Sequence, residues 1–543
     1  MKLSKEKKYN IILLFLCVLF FVLYSFTVVA AWLPQWLNLK HLIFNWPDAN
    51  ANYFFAKLFA EQGVLSWHEP FNSITDNLLH TRSINVVDAN LVPMTFLPVL
   101  ILFGLAAKLF GPFGILFLTP LLATLTVYII YCLSFYIFKD LDLSFLIALL
   151  FFPLAPWLYF SNIVMLPTVL FIFLVSGGWL AIAKSLATKN NIWWIIGALF
   201  LSLAVVVRPT EVLWLALVWV FVIYINRKRL KYQRCLVGVL IFLAVFITFL
   251  SFNKLIYGGY LSFGYLNLQS GTLPTEFSGQ QSRNVFDSVK LLLMPFGFDF
   301  LLIVKNFVKY FVNIIWYHVL FAAAGFILLL TNKKLSLTWK KYFLLTPFVF
   351  ILILLFYGSW DLADPLVKEL NTISISYVRY FMPLYIWLLP LSAYAIKKLF
   401  SSKDKTNQLA YYVIIFALAI LSIKVAFYAK HDGLFKNKEN LLNYSQQYEG
   451  VYELVPEDAI IITDRSDKVF FPQYQVIVPQ GDLPLWPRIS KIVDNQNIYY
   501  FTDKSEQEID NQRVVANSNG VAIGNLVEID KKFKLYKIIR ITR

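Results

Sequence analysis

The feature that most constrains this chain is a series of apolar stretches, many of them close to the roughly 20 residues with which an α-helix crosses a bilayer. Of its 543 residues, 59% are apolar and only 15% are charged, whereas a soluble domain carries about 25% charged residues. This composition excludes a soluble enzyme, a disordered chain and a small disulfide scaffold. It predicts an all-α polytopic membrane protein with about eleven transmembrane helices, over residues 9–31, 113–138, 143–160, 167–183, 192–207, 212–225, 235–252, 311–330, 342–356, 377–396 and 408–428.

Basic residues set the predicted orientation. The formal net charge of +16 lies in short Lys/Arg runs between the apolar stretches, for example at 227–234, which is the positive-inside pattern rather than a nucleic-acid surface. All of these basic runs face the cytoplasm only if residues 91–138 cross the membrane once. We therefore interpret 91–110 as an interfacial or re-entrant helix. The apolar run 9–32 is longer than a signal peptide requires. We therefore expect an uncleaved first helix in a multi-pass cytoplasmic-membrane protein, with its N-terminus in the cytoplasm.

The sequence predicts two domains. Residues 1–430 form the transmembrane module, with large outside loops at 32–90 and 253–310, and residues 431–543 form a small soluble α/β domain outside the cell. In the tail, acidic residues slightly outnumber basic ones. A polar helix is predicted near 445–454, and alternating apolar residues predict strands at 459–463, 474–478, 498–502, 521–527 and 533–541.

Asp48 is the most suggestive candidate for chemistry. It follows Pro47 at the predicted start of a helix that ends near Gly63, where the helix dipole favours an ionised carboxylate. Such a carboxylate near the membrane surface can act as a general base. The alternative is that Asp48 only caps the helix, since Asp is among the preferred N-cap residues.

Three arginines near predicted outside boundaries are candidates for binding a lipid phosphate: Arg82, Arg208 and Arg379. Arg82 precedes the interfacial segment, and Arg208 lies in a helical hairpin tip with Glu211, where a charged pair needs a water-filled cavity or a partner. The alternatives are a headgroup anchor for Arg82 and a snorkelling side chain for Arg379.

Polar and aromatic residues in the same outside segments are candidates for contacting a substrate. His68 and Glu69 lie in the first loop, Tyr260 lies between glycines that permit close approach, and Tyr380 follows Arg379. The His and acidic residues of the first loop match no standard metal-ligand spacing. We predict no metal site and no cofactor, and a divalent cation remains an open alternative.

The order of these features resembles the GT-C glycosyltransferases, membrane enzymes that use polyprenyl-phosphate sugars and include protein O-mannosyltransferases and aminoarabinose transferases. Four features carry the resemblance: Asp48 with Tyr53 after the first helix, seven crossings before the loop 253–310, the Gly/Tyr-rich start of that loop, and the Arg-Tyr-x-x-Pro sequence at Arg379. The resemblance covers roughly residues 9–400. It implies that Asp48 is the catalytic residue. In the first loop, the paired acids of many members are replaced here by Asp48 followed by Ala49.

The resemblance implies an inverting glycosyltransferase that moves a sugar from a polyprenyl-phosphate donor on the extracytoplasmic side, with membrane lipids around it and a glycan, lipid or protein as acceptor. Two alternatives belong to other classes, a flippase for lipid-linked saccharides and a non-catalytic cell-envelope assembly protein. A flippase requires charged residues along several crossings. In this chain the charged residues gather at the ends of the crossings, which favours a surface-facing active site.

Overall fold

The chain divides into two compact units, each assembled from segments that are distant in sequence. The computed structural model describes residues 4–264, 294–332, 336–362, 364–400, 405–479, 484–530 and 532–541. Of these described residues, the first unit comprises those within Met1–Val28, Leu116–Thr248 and Gly279–Asn437, and the second comprises those within Val29–Ile115, Phe249–Ser278 and Lys438–Arg543. Residues of the first loop thus belong to the same unit as the C-terminal tail, while the domain boundary at residue 430 stays a prediction.

Helices dominate both units. The helices of the N-terminal half are α1 (Lys5–Tyr24), α2 (Leu33–Leu39), α3 (Pro47–Gln62), α4 (Leu97–Gly114), α5 (Leu118–Phe138), α6 (Leu141–Phe151), α7 (Ala155–Asn162), α8 (Pro167–Thr188), α9 (Asn191–Val207), α10 (Val212–Asn226) and α11 (Tyr232–Tyr257). Those that follow are α12 (Phe300–Phe307), α13 (Trp316–Leu330), α14 (Leu337–Tyr357), α15 (Pro365–Leu370), α16 (Ser376–Tyr380), α17 (Met382–Phe400), α18 (Lys405–Tyr428), α19 (Leu434–Tyr452), α20 (Asp467–Phe470), α21 (Leu485–Ile489) and α22 (Glu506–Ser518).

The protein is a multi-pass membrane protein. Within the described residues, seven helical segments are long and apolar enough to cross a bilayer: Lys5–Tyr24, Leu97–Phe138, Pro167–Thr188, Pro209–Asn226, Tyr232–Tyr257, Leu337–Tyr357 and Thr406–Tyr428. Two bent pairs raise the number to nine if each is one span, α6 with α7 at 54° and Phe300–Val312 with α13 at 101°.

The predicted crossings all coincide with helices, but two of them lack the properties of a full span. Helix α9, predicted at 192–207, has 17 residues, which is short for a 30 Å hydrocarbon core at about 1.5 Å per residue. The stretch 377–396 divides into α16 and α17, and prolines and two lysines lower the apolar content of α17. The count of eleven crossings therefore stays a prediction.

The segment 91–110 differs from the predicted interfacial helix at its start. Asn90–Pro93 is a strand, because its backbone pairs with strands on both sides, and the helix begins only at Leu97. Helix α4 continues toward α5 through a break at Gly111, whose φ of 77° is left-handed and suits a residue without a side chain. Together these residues form one 42-residue candidate span, Leu97–Phe138.

In the first unit, helices approach each other where glycines remove side-chain bulk. A Cβ on Gly197 of α9 would lie 3.0 Å from the carbonyl oxygen of Gly178 on α8. At Gly325 of α13 a Cβ would overlap the carbonyl oxygen of Leu391 on α17. Small residues at such crossings are the usual means by which helices pack closely in membranes.

The second unit contains a small antiparallel sheet that borders α3. Its strands are β1 (Trp67–His68), β2 (Ile84–Val87) and β3 (Asn90–Pro93), in the order β1-β3-β2. Helix α3 ends as predicted at Gly63, whose φ of 75° forms a left-handed cap and whose N–H bonds to the carbonyl oxygen of Phe59 at 2.9 Å.

The tail of the second unit folds around a five-stranded mixed sheet. Its strands are β4 (Ile460–Thr463), β5 (Gln475–Ile477), β6 (Ile498–Thr502), β7 (Val521–Glu528) and β8 (Lys534–Arg540), in the order β5-β4-β6-β8-β7. Strand β4 pairs in parallel with β5 and β6, and β8 pairs antiparallel with β6 and β7. The five predicted strands are all present within one or two residues of their expected ends. The predicted helix at 445–454 is the last part of the longer α19.

First-loop residues complete the core on both faces of this sheet. Because side chains alternate along a strand, Ile461 of β4 joins a cluster with Phe55 of α3, while Ile460 and Ile462 join another with Leu79. Strand β4 is buried along its whole length, as expected for a central strand covered on both faces.

Replacing Gly325 with alanine tests the close packing of α13 on α17. The added methyl group has no space beside the Leu391 carbonyl oxygen, so we expect a loss of about 1–3 kcal/mol of stability, as in overpacked cores. Thermal unfolding of the purified protein in detergent measures this loss. Gly238→Ala is the matched control because its Cβ would meet only Trp194 Nε1, at 3.6 Å. Equal melting temperatures for Gly325→Ala and the control would contradict the packing described here.

Candidate active site

Asp48 lies in the first turn of α3 but does not cap it. The N-cap residue is Trp46, whose side chain makes no capping hydrogen bond, and Pro47 occupies the first helical position. The carboxylate of Asp48 instead accepts a hydrogen bond from the Ser83 hydroxyl, with Ser83 Oγ 2.7 Å from Oδ1. A negative charge in the first turn is stabilised by the helix dipole. The simple capping interpretation is therefore wrong, and Asp48 has a specific partner 35 residues further along the chain.

Arg82, next to Ser83, forms an ion pair with the buried carboxylate of Asp467. Its Nη2 lies 2.6 Å and its Nε 3.0 Å from Asp467 Oδ1, and its backbone N–H donates to Oδ2 at 3.1 Å. Nη2 also donates to the carbonyl oxygen of Arg465 at 2.8 Å. The role of Arg82 toward a lipid phosphate stays a prediction, since the observed contacts neutralise its charge inside the second unit.

The other first-loop candidates differ in exposure. Glu69 is buried and accepts hydrogen bonds from the Gln475 side chain at 3.0 and 3.2 Å. Burial raises the pKa of the Glu69 carboxyl, while hydrogen bonds from the Phe71 N–H and Gln475 oppose this shift. His68 is exposed, and its Nδ1 lies 3.2 Å from Asn90 Oδ1. Tyr260 is also exposed, with the Lys254 ammonium 4.8 Å from its ring centroid.

In the first unit, Arg208 and Glu211 form a buried ion pair at the break between α9 and α10. Pro209 begins a single 3₁₀ turn, Pro209–Glu211, that brings the two side chains together. Arg208 Nη2 lies 2.7 Å from Glu211 Oε1, and the side chains are 4% and 0% exposed. The Glu211 carboxylate also accepts hydrogen bonds from Trp214 Nε1 at 2.5 Å and the Tyr357 hydroxyl at 3.0 Å. A charged pair at this hairpin tip is expected to need partners, and the Trp214 and Tyr357 side chains provide them.

The structure brings Arg208 and Arg379 to the same aromatic side chain, Tyr380. The guanidinium carbons lie 5.3 and 5.1 Å from the Tyr380 ring centroid, within the range of cation–π interaction. Arg379 Nη2 also donates to the Tyr380 hydroxyl at 3.2 Å. The ring of Tyr357 stacks on that of Tyr380 at 4.4 Å and 6°. Three of the predicted site residues therefore form one cluster, and both arginines are less than a tenth exposed.

Sequence reasoning missed several residues that the structure places next to the candidates. Ser83 and Asp467 gave no signal, because hydrogen bonds across 35 and 385 positions leave no local pattern. Trp214 lies inside an apolar stretch and Tyr357 directly follows one, and at such positions an aromatic residue is expected for packing alone. Within the described residues, no group of three His, Cys, Asp or Glu side chains is placed to hold a metal ion.

The fold is that of the GT-C glycosyltransferases. The crystal structure of ArnT, an aminoarabinose transferase from Cupriavidus metallidurans, in the apo state, aligns over 98% of both chains with 11% sequence identity and a TM-score of 0.51. The oligosaccharyltransferase of Archaeoglobus fulgidus, tethered to an acceptor peptide with the NVT sequon, aligns over 90% of this chain and 69% of its own, with 12% identity and a TM-score of 0.50. No protein-family model and no curated protein matches the sequence.

Replacing Glu211 with glutamine tests the buried ion pair. The substitution keeps the shape but leaves the Arg208 charge without its carboxylate, and removing one partner of a buried pair costs about 3–5 kcal/mol. We expect a clear fall in melting temperature. Glu61→Gln is the matched control, since its pair with Lys57 is exposed at 3.8 Å and such pairs contribute about 0–1 kcal/mol. A Glu211→Gln protein as stable as the control would show that the pair is not required for folding.

Proposed function

We propose that this protein is a membrane glycosyltransferase that moves a sugar from a polyprenyl-phosphate donor to an acceptor on the outer side of a cytoplasmic membrane. The fold supports this proposal, because solved proteins with the same architecture are an aminoarabinose transferase and an oligosaccharyltransferase. The basic runs between the apolar helices favour an N-terminus in the cytoplasm and a C-terminal domain outside.

The observation that carries the proposal is the Arg208–Arg379–Tyr380 cluster. Both guanidinium groups lie against the Tyr380 ring, and that of Arg208 also lies 5.3 Å from the Phe171 ring centroid, so the two cations are held between aromatic walls. Neither terminal nitrogen of Arg208 completes a hydrogen bond of good geometry with the described part of the chain. A phosphate on an apolar tail suits such a site, because guanidinium groups bind phosphate oxygens through charge-assisted hydrogen bonds.

In the proposed reaction, Asp48 acts as the general base. Its carboxylate accepts the proton of the acceptor hydroxyl while that oxygen attacks the anomeric carbon of the sugar. The bond from the anomeric carbon to the phosphate oxygen breaks, and polyprenyl phosphate leaves with inversion at the carbon. Arg208 and Arg379 stabilise the negative charge that develops on the leaving phosphate. His68, Glu69 and Tyr260 remain candidates for contacts with the substrates.

Replacing Asp48 with asparagine tests the base. We expect release of polyprenyl phosphate from a lipid-linked sugar pool in membranes to slow by about 10²–10⁴-fold, the usual contribution of general-base catalysis. Asp88→Asn is the matched control, because Asp88 lies in the same loop at an exposed turn whose backbone conformation asparagine also adopts. Turnover by Asp48→Asn close to that of the control would remove Asp48 from the mechanism.

Replacing Arg379 with lysine tests the phosphate site. Lysine keeps the charge but loses the planar donor array, and a hydrogen bond to a charged group contributes about 1.5–3 kcal/mol. We expect a rise of about 10- to 100-fold in KM for the lipid-linked donor. Arg234→Lys, in an exposed position bonded to Asn191 Oδ1 at 2.9 Å, is the control. An unchanged KM for Arg379→Lys would contradict binding of the phosphate by this residue.

A further inference from the structure

The second unit contains a continuous series of contacts from the C-terminal sheet to Asp48. It begins at Asp467, whose side chain has no exposed surface and accepts three hydrogen bonds from Arg82. Ser83 is the next residue, and its hydroxyl donates to the Asp48 carboxylate at 2.7 Å. The contacts thus join three segments that are far apart in the sequence.

Asp467 lies beyond the carboxyl end of a central strand of the sheet. It opens α20, directly after the turn that follows β4, the strand flanked in parallel by β5 and β6. In open α/β sheets, ligands usually bind outside the carboxyl ends of the strands where the strand order reverses. Here the guanidinium of Arg82 lies at that edge, bonded to Asp467 and to the carbonyl oxygen of Arg465.

The Arg82–Asp467 pair differs from the charged contacts of Asp76, another residue of the same loop. Asp76 pairs with Lys491 at 3.0 Å and with Arg488 at 3.7 Å, but its own side chain is 56% exposed. Exposed pairs are screened by water and contribute little. A buried carboxylate requires its cation, and so the Arg82 guanidinium and backbone N–H are held in one place.

We propose that Asp467 and Arg82 are positioning residues that hold Ser83 so that its hydroxyl orients the Asp48 carboxylate toward the acceptor. This inference rests on the proposed function, in which Asp48 is the general base. The Ser83 hydroxyl donates to Oδ1 of Asp48 and so constrains the orientation of the carboxylate. The C-terminal domain therefore acts on the rate of the proposed reaction through the geometry of the base.

Single and double substitutions test this role. Removing the hydroxyl in Ser83→Ala should lower kcat about tenfold with little change in KM for the donor, because one hydrogen bond to a charged group is lost. Ser83→Thr keeps a hydroxyl and should retain most of the rate. Asp467→Asn should lower kcat at least as much, and the double variant should be no slower than Asp467→Asn alone, since coupled residues are not additive. Asp76→Asn, the exposed control, should match the wild type.

An infrared measurement tests the geometry without any turnover. The difference spectrum between wild type and Asp48→Asn isolates the carboxylate stretch of Asp48. We expect this band to shift in Ser83→Ala and in Asp467→Asn, and to stay in place in Asp76→Asn. An unshifted band, a wild-type kcat in Ser83→Ala, or additive effects in the double variant would overturn the inference. If Asp48→Asn retains wild-type turnover while the band still shifts, the contacts are present and the proposed function is the part that fails.

Discussion

The rest of the structure depends on the surroundings of two carboxylates without exposed surface, Glu211 and Asp467. An ionised carboxylate removed from water is costly unless a cation and hydrogen-bond donors surround it. In the first unit this requirement fixes Arg208 at the break between two apolar helices. In the second unit it fixes Arg82 against the C-terminal sheet. In each compact unit a buried acid thus determines where an arginine lies, and each arginine adjoins residues proposed to do the chemistry.

The sequence predicted those parts of the fold that depend on local patterns. The strands of the tail follow from alternating apolar residues, and the end of α3 follows from Gly63, because both signals lie within a few residues of the feature they specify. Helix α22 was missed although Ser505 and Glu508 form a capping box at its start, a local signal that was available. The sequence predicts an interfacial helix from residue 91, whereas the structure has the strand Asn90–Pro93, because the partners of this strand lie outside the segment itself.

The candidate site was predicted only in part, because only some of its residues have a local signal in the sequence. Arg208, Arg379 and Tyr380 stood out as polar or aromatic residues at the ends of apolar stretches, and the structure gathers them in the first unit. Their common neighbour Tyr357 ends an apolar helix and resembles any packing residue. In the second unit, Asp48 was found, while Ser83 and Asp467 were not. Contacts across tens to hundreds of residues are set by tertiary packing, which a single sequence does not display.

The pairing of Arg82 with Asp467 also has a consequence for the biogenesis of the protein. These residues are 385 positions apart, and a ribosome that adds about 5–20 residues per second needs roughly 20–80 s to synthesise the chain between them. During that interval the segment with Asp48 has been made, but the β-sheet against which it packs has not. The nascent chain is therefore inserted into the bilayer while its second unit is still incomplete.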